Sequence, residues 1–366
     1  MDKCLKKEEQ AILLLRKLYR SFGYLPYKMS RFEEYDLYVR NKDFLVSDQV
    51  ITFSDRSGKL LALKPDVTLS IIKNAGKSAD TQRVYYNENV YRVDPQTRAF
   101  REIMQTGLEC IGDLTTQNVA EVVLLAARSL KELGESFVLD ISHMGLVSGI
   151  LRKSGLSHEG QNKALQYLHQ KNSHELRQLC REENCDGEAL LTLVQAVGSP
   201  YVVFEKLRKI TQDEELLESL VQLQQICGLL ESFGFGANVR VDFSVGTDMK
   251  YYSGVVFKGY LEGITTGILS GGQYDKLLRK MGRSGNAVGF AIYLNLLEQI
   301  GEAPHYDVDA VLLYGPDGDM EQVMQAAEIL RKTSDVLTAQ KLPENLRWRR
   351  LYEFREGEAV LLENNG

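Results

Sequence analysis

Asn89-Val90-Tyr91-Arg92-Val93-Asp94, followed after a short loop by Arg98-Ala99-Phe100-Arg101-Glu102-Ile103-Met104-Gln105-Thr106-Gly107-Leu108-Glu109, decides how the rest of the chain is read. Residues Arg83 to Asp94 and Glu102 to Gly112 alternate in polarity as strands do, and a loop holding Pro95 and Arg98 joins them. This predicts an antiparallel pair with Arg92 near its turn. An ordinary hairpin with a charged loop is the plain alternative at this point.

Outward from the hairpin, apolar positions at helical spacing (Ile12, Leu15, Leu18, Tyr19) predict a helix from about Glu8 to Phe22, stopped at Gly23. Tyr24 to Met29 is extended, and an acidic Phe32–Asp36 segment follows. Residues 50–53 and 60–63 form two short strands about the turn Asp55-Arg56-Ser57-Gly58, and Asp66 to Lys73 fits a helix. Gln117 to Leu133 is a strong helix and Val138 to Ile141 a buried strand. From about Leu146 to Phe233 the pattern is helical. Strands return at Val239–Phe243, Gly254–Tyr260 and Thr266–Leu269, with Gly271-Gly272 punctuating the last before a helix Tyr274–Met281. Beyond Gly301 a strand (Asp309–Tyr314), a helix (Met320–Lys332) and an apolar run (Glu358–Leu362) read as a small α/β unit. The fold class is α+β, an antiparallel sheet with flanking helices, a helical insert and a small C-terminal α/β unit. The division is 1–145 with 236–302, an insert 146–235, and 303–366.

The chain has 366 residues, 44% apolar and 26% charged, ordinary for a soluble globular protein. Its 44 basic and 50 acidic side chains give a net charge of −6, which disfavours a large nucleic-acid footprint. The five cysteines (Cys4, Cys110, Cys180, Cys185, Cys227) show no metal-type spacing and read as reduced thiols. No apolar run approaches the ~20 residues of a membrane helix, so a cytoplasmic protein without membrane contact is expected. The histidines (His143, His158, His169, His174, His305) read as surface or packing residues, with no metal site. Trp348 among Arg347, Arg349 and Arg350 reads as a solvated basic turn.

The two stretches quoted first resemble motif 2 of class II aminoacyl-tRNA synthetases, in the form found in histidyl-tRNA synthetases. Three further stretches follow in the family's order. Leu63-Lys64-Pro65-Asp66-Val67-Thr68 resembles the loop that holds the ammonium of histidine. Lys250-Tyr251-Tyr252-Ser253-Gly254-Val255-Val256-Phe257 resembles the tyrosine pair that closes over the imidazole. Gly271-Gly272-Gln273-Tyr274-Asp275 with Ala287-Val288-Gly289-Phe290-Ala291-Ile292 resembles motif 3. The resemblance covers about residues 8–300 and implies the class II synthetase-like fold. It implies a histidine pocket of Asp66, Thr68, Arg92, Gln105, Glu109, Tyr251 and Tyr252, with Asp66 and Thr68 on the ammonium and Glu109 and the tyrosines as candidates around the ring.

The departures fall on the nucleotide side. Where the family has Arg-Gly-Leu-Asp this chain has Thr247-Asp248-Met249-Lys250. Leu296 stands for a second arginine, Tyr293 for a glycine, and Gln273 for the arginine of Gly-Gly-Arg-Tyr-Asp. One donor to developing charge can be worth about 10²–10³ in rate, so losing three implies no catalytic residues and no ATP chemistry. In the ammonium loop Lys64 replaces an arginine, and Asp66 replaces a glutamate, drawing the carboxylate back by about 1.5 Å. Ser30 replaces the proline of motif 1, the dimer-forming motif, and only about 60 residues follow Gly301, which argues against tRNA as a partner.

A pocket kept beside a clamp dismantled is the pattern of the family's regulatory branch, the subunits that serve a short-form ATP phosphoribosyltransferase in the first step of histidine biosynthesis. That resemblance implies a non-catalytic, cofactor-free subunit. Its expected partners are the short catalytic subunit, L-histidine as effector, and a second copy of itself within a hetero-oligomer. The alternatives are a divergent paralogue that still activates an amino acid with ATP, and a pseudo-synthetase binding module.

Overall fold

The computed structural model describes residues 5–42, 45, 50–74, 81–94, 97–245, 251–300 and 306–365. The chain forms two compact units, 1–300 and 301–366. Among the described residues no helix is long and apolar enough to cross a membrane.

The first unit is built on a nine-stranded sheet. Its order is Leu25–Pro26, Gln82–Val93, Phe100–Gly112, Asn286–Tyr293, Leu269–Gln273, Val255–Leu261, Phe137–His143, Val239–Asp242 and Val197–Gly198. Neighbours are antiparallel except Leu25–Pro26 with Gln82–Val93 and Phe137–His143 with Val239–Asp242. The hairpin expected at 83–112 is the longest pairing, running from Gln82↔Ile111 to Val93↔Phe100. Its turn is closed by Asp94 N–H to Ala99 O and Arg98 N–H to Asp94 O, both 2.9 Å. Arg98 adopts a left-handed conformation (φ 59°) there; Pro95 lies outside the described residues.

Period-2 alternation sorts this hairpin's faces. Leu108 and Cys110 point into a core with Val288 and Ile292 of the neighbouring strand, covered by the helices Lys7–Ser21 and Thr116–Leu133. The first helix is a stripe, with Ala11, Leu15 and Tyr19 recurring every four residues, whereas Thr116–Leu133 is buried nearly all round, Val122 to Ala127 without a break. Gln105, Gly107 and Glu109 take the opposite face. A separate three-stranded sheet (Phe32–Glu34, Leu60–Leu63, Thr52–Ser54) and the helix Thr68–Asn74 belong to a second cluster around Tyr38, Leu69, Ile72 and Tyr86. The functional face lies against this second cluster.

Residues 144–232 form six helices, and their buried leucines continue the core of the sheet. The two-residue strand Val197–Gly198 within them adds to the sheet edge; it is too short for periodicity to reveal.

The second unit is a four-stranded sheet, Val336–Ala339, Val308–Leu313, Trp348–Arg355, Glu358–Asn364, with the helix Met320–Arg331 against Leu312. The basic turn expected at Trp348 is instead the start of a strand paired parallel to Val308–Leu313. The arginines that suggested a turn have partners: Arg347 pairs with Asp307 at 2.6 Å and Arg350 donates to Ser334 Oγ at 2.6 Å. Charged side chains with local partners are compatible with a strand, and their run hid the alternation.

The expectation at Thr266–Leu269 also shifts. The strand is Leu269–Gln273, so Gly271 and Gly272 lie inside it. Residues Leu294–Gln299 form a 3-10 helix.

Candidate functional site

The antiparallel registers lay four chain segments side by side. Val84 faces Glu109, Glu109 faces Gly289, and Gly289 faces Gly272. Glycines occur in strand interiors where something must come close, and here each one seats a side chain. A Cβ on Gly289 would stand 1.7 Å from Glu109 Oε2, one on Gly272 2.8 Å from the Tyr252 ring, and one on Gly107 2.6 Å from the Tyr86 hydroxyl. The reading of Gly271-Gly272 as punctuation misses this use.

Above this floor lies a cavity of about 150 Å³. Asp66, Thr68, Arg92, Gln105, Glu109, Tyr251 and Tyr252 all line it, so the structure brings the seven expected residues together. Tyr86, Tyr274, Gly289 and Tyr293 line it too. Tyr86 and Tyr274 carried no signal of their own beyond a place in a strand and in a motif.

Thr68 Oγ1 donates to Glu109 Oε1 at 2.7 Å, and the Tyr274 hydroxyl donates to Glu109 Oε2. Burial nevertheless pushes the Glu109 carboxyl up to about 8, because desolvation outweighs those two donors and nearby Asp66 adds to the rise. Asp66 is raised as well, chiefly by burial, and is held back by the Leu69 N–H (2.9 Å to Oδ1) and the charge of Arg92. Arg92 is the only cation among the described residues lining the cavity. Its Nε donates to Pro65 O at 3.0 Å, tying the hairpin to the Asp66 loop. Beneath that loop Lys64, fully buried, pairs with Glu88. The rings of Tyr251 and Tyr252 meet edge to face at 4.7 Å, and Tyr251 lies 5.8 Å from Tyr274.

Gln105 is 3% exposed, and its Nε2 has no hydrogen-bond partner among the described residues. A buried amide left unpaired costs about 1–3 kcal/mol, so this wall is built to meet an acceptor.

The substituted positions behave differently from one another. Tyr293 lines the cavity. Leu296 packs partly buried against the main core. Gln273 turns away from the cavity into the sheet. Thr247–Lys250 lie outside the described residues. No group of three or more His, Cys, Asp or Glu among the described residues is placed to hold a metal. Buried His143 caps the helix Met144–Lys153 through the Gly145 N–H and meets Gln222 at 2.7 Å, a packing role.

The fold and the pocket define a class. The family model of histidyl-tRNA synthetase matches residues 3–297, and the chain belongs to that family. Within it the similarity runs to regulatory subunits. The ATP phosphoribosyltransferase regulatory subunit of Caldanaerobacter subterraneus subsp. tengcongensis is 30% identical over 336 residues, covering 88% of this chain and 87% of the relative. A solved ATP phosphoribosyltransferase regulatory subunit/histidyl-tRNA synthetase from Bacillus halodurans C superposes with TM-score 0.75 at 26% identity, covering 92% of this chain and 90% of that one. The ATP phosphoribosyl transferase (HisG:HisZ) complex from Thermotoga maritima shares the fold, with TM-score 0.65 at 19% identity and coverage of 80% and 98%.

Proposed function

We propose that this chain is the regulatory subunit of an ATP phosphoribosyltransferase in histidine biosynthesis, and that its pocket binds free L-histidine as the effector. The chain does not activate an amino acid. It joins a short catalytic subunit that condenses ATP with phosphoribosyl pyrophosphate to phosphoribosyl-ATP and pyrophosphate, and it supplies the histidine-sensitive control.

The observation that carries the effector reading is the unpaired Gln105 Nε2 in a small, acid-lined, aromatic-walled cavity. A zwitterionic amino acid satisfies the wall: its carboxylate takes Gln105 or Arg92, and its ammonium takes Asp66 with Thr68. The imidazole lies between the tyrosine rings with its nitrogens toward Glu109 and Tyr274. Among the described residues a nucleotide triphosphate finds one lining cation, Arg92, and the ring of Tyr293. The synthetase-like part (1–145 with 236–302), the helical part (146–235) and the C-terminal unit (303–366) work as one cytoplasmic subunit. It assembles as a homodimer within a hetero-oligomer.

Calorimetric titration with L-histidine, with ATP in parallel, tests the pocket. Histidine binds and ATP does not bind tightly, and Asp66→Asn weakens histidine by about tenfold, the value of a charge-assisted hydrogen bond. Binding of ATP, or of neither compound, overturns the effector reading. Added to a short catalytic subunit, the chain raises its turnover and histidine then lowers it; no change in turnover overturns the regulatory reading.

A further inference from the structure

We propose that Gln273 is a positioning residue for the aromatic wall of the pocket, forming with Gly254 a brace that sets how closely Tyr251 and Tyr252 approach the opposite wall. It rests on the histidine-pocket reading and adds what decides ring selectivity.

Gln273 ends its strand and is 8% exposed, yet it does not line the cavity. The regular ladder between Val255–Leu261 and Leu269–Gln273 reaches its end at Val256↔Gly272. One residue further the side chain takes over from the main chain: Gln273 Oε1 accepts the Val255 N–H at 2.9 Å. The Gln273 carbonyl accepts the Ser253 N–H at 2.9 Å, and Ser253 Oγ accepts the Asp275 N–H at 3.2 Å. The three residues that follow the tyrosine pair are thus pinned to one position.

Gly254 makes that approach possible. A Cβ there would stand 2.1 Å from Gln273 Oε1 and 2.7 Å from its Cδ. From the other side the Gly254 carbonyl accepts the Met144 N–H at 2.8 Å, so the segment is held between the strand end at Gln273 and the start of the helix Met144–Lys153. The residues flanking Gln273 act on the same wall. Gly272 seats the Tyr252 ring with a clearance that no Cβ would leave, and Tyr274 meets both Tyr251 and Glu109. Three successive residues therefore seat one ring, fix its backbone and connect the pair to the buried acid.

Loss of the Gln273 acceptor orphans the buried Val255 N–H and frees residues 251–254 from the strand. The rings then lie further from Glu109, and the pocket stops distinguishing imidazole from bulkier rings.

The test is titration of the full chain with L-histidine and with Nτ-methyl-L-histidine, for wild type, Gln273→Leu, Gln273→Glu and Gly254→Ala. Fluorine spectra of ligand-free protein labelled with 3-fluorotyrosine, with Tyr251 and Tyr252 assigned by Tyr→Phe replacement, accompany it. Gln273→Leu and Gly254→Ala weaken histidine about tenfold, narrow the ratio between the two ligands and shift the Tyr251 and Tyr252 signals. Gln273→Glu, which keeps an acceptor, retains the wild-type ratio. A purely structural role lowers both affinities in proportion, leaving the ratio intact, and that result overturns the brace. Wild type that binds no histidine overturns the effector reading alone; the ligand-free spectra then decide the brace, and unmoved ring signals in Gln273→Leu overturn it.

Discussion

Two buried residues have titrations displaced in opposite directions, and each leaves a signature in stability against pH. Glu109 has its pKa raised to about 8 by burial. Between the ordinary glutamate range near 4.5 and about 8, the folded chain holds a proton that the unfolded chain has released. Its contribution is therefore complete below about 4.5 and is lost as pH rises toward 8. His143 is lowered to about 4, again by burial, with Gln222 opposing. Below the ordinary value of 6.5 the unfolded chain binds a proton that the folded chain refuses, so this contribution is present above 6.5 and lost as pH falls toward 4. Thermal unfolding followed from pH 4 to 9 checks both. Glu109→Gln flattens the alkaline decline, leaving the share that the raised Asp66 contributes, and His143→Gln flattens the acid decline. Two unaltered profiles refute the assignment.

At the level of elements, the pocket depends on strands close enough to share space, and Gly289 is the sharpest case. Alanine there places Cβ 1.7 Å from Glu109 Oε2, which forces the acid or the strand to move. Overpacking of this kind costs about 1–3 kcal/mol; denaturant unfolding is expected to show that loss, and calorimetry the loss of histidine binding. In the C-terminal unit one helix, Met320–Arg331, covers the sheet, and Asp319 caps it by accepting the N–H groups of Glu321 (2.9 Å) and Gln322 (3.1 Å). Asp319→Ala removes about 0.5–2 kcal/mol from that unit. Limited proteolysis should release residues beyond 300 first, while the histidine affinity of the first unit stays unchanged. Element types were legible because helices such as Thr116–Leu133 repeat their apolar residues within a few positions. Trp348–Arg355 was not, since the charges that pair with Asp307 and Ser334 masked its alternation.

For the molecule as a whole, the family fold carries the cavity proposed to hold an amino acid, and Thr247, Gln273 and Leu296 stand where the resemblance expects arginines that handle the nucleotide. That combination suits a subunit whose output is another protein's rate. Pyrophosphate exchange with histidine and ATP is expected to stay at background, and returning one arginine by Gln273→Arg does not restore it, because Leu296 is committed to the core. Exchange above background in either protein contradicts a non-catalytic pocket. The net charge of −6 argues in the same direction: retention of tRNA on a filter at moderate salt should not exceed that of an acidic control protein.

The sequence by itself determined the α+β class and most of the local elements, and its resemblance to the family named the seven residues that line the cavity. Those residues were named by the resemblance of four short segments to the family's motifs, and each segment stands whole in the sequence: Asp66 with Thr68, Arg92 and Gln105 to Glu109 about one hairpin, Tyr251 beside Tyr252. Only the tertiary structure decided what surrounds them. Gly289 faces Glu109 and Tyr86 faces Gly107 through cross-strand registers, and the Tyr274 hydroxyl reaches Glu109 from 165 residues away; no local pattern encodes such pairings. The raised Glu109 carboxyl, the unpaired Gln105 amide and the inward turn of Gln273 follow from burial, and burial is a property of the packed sheet.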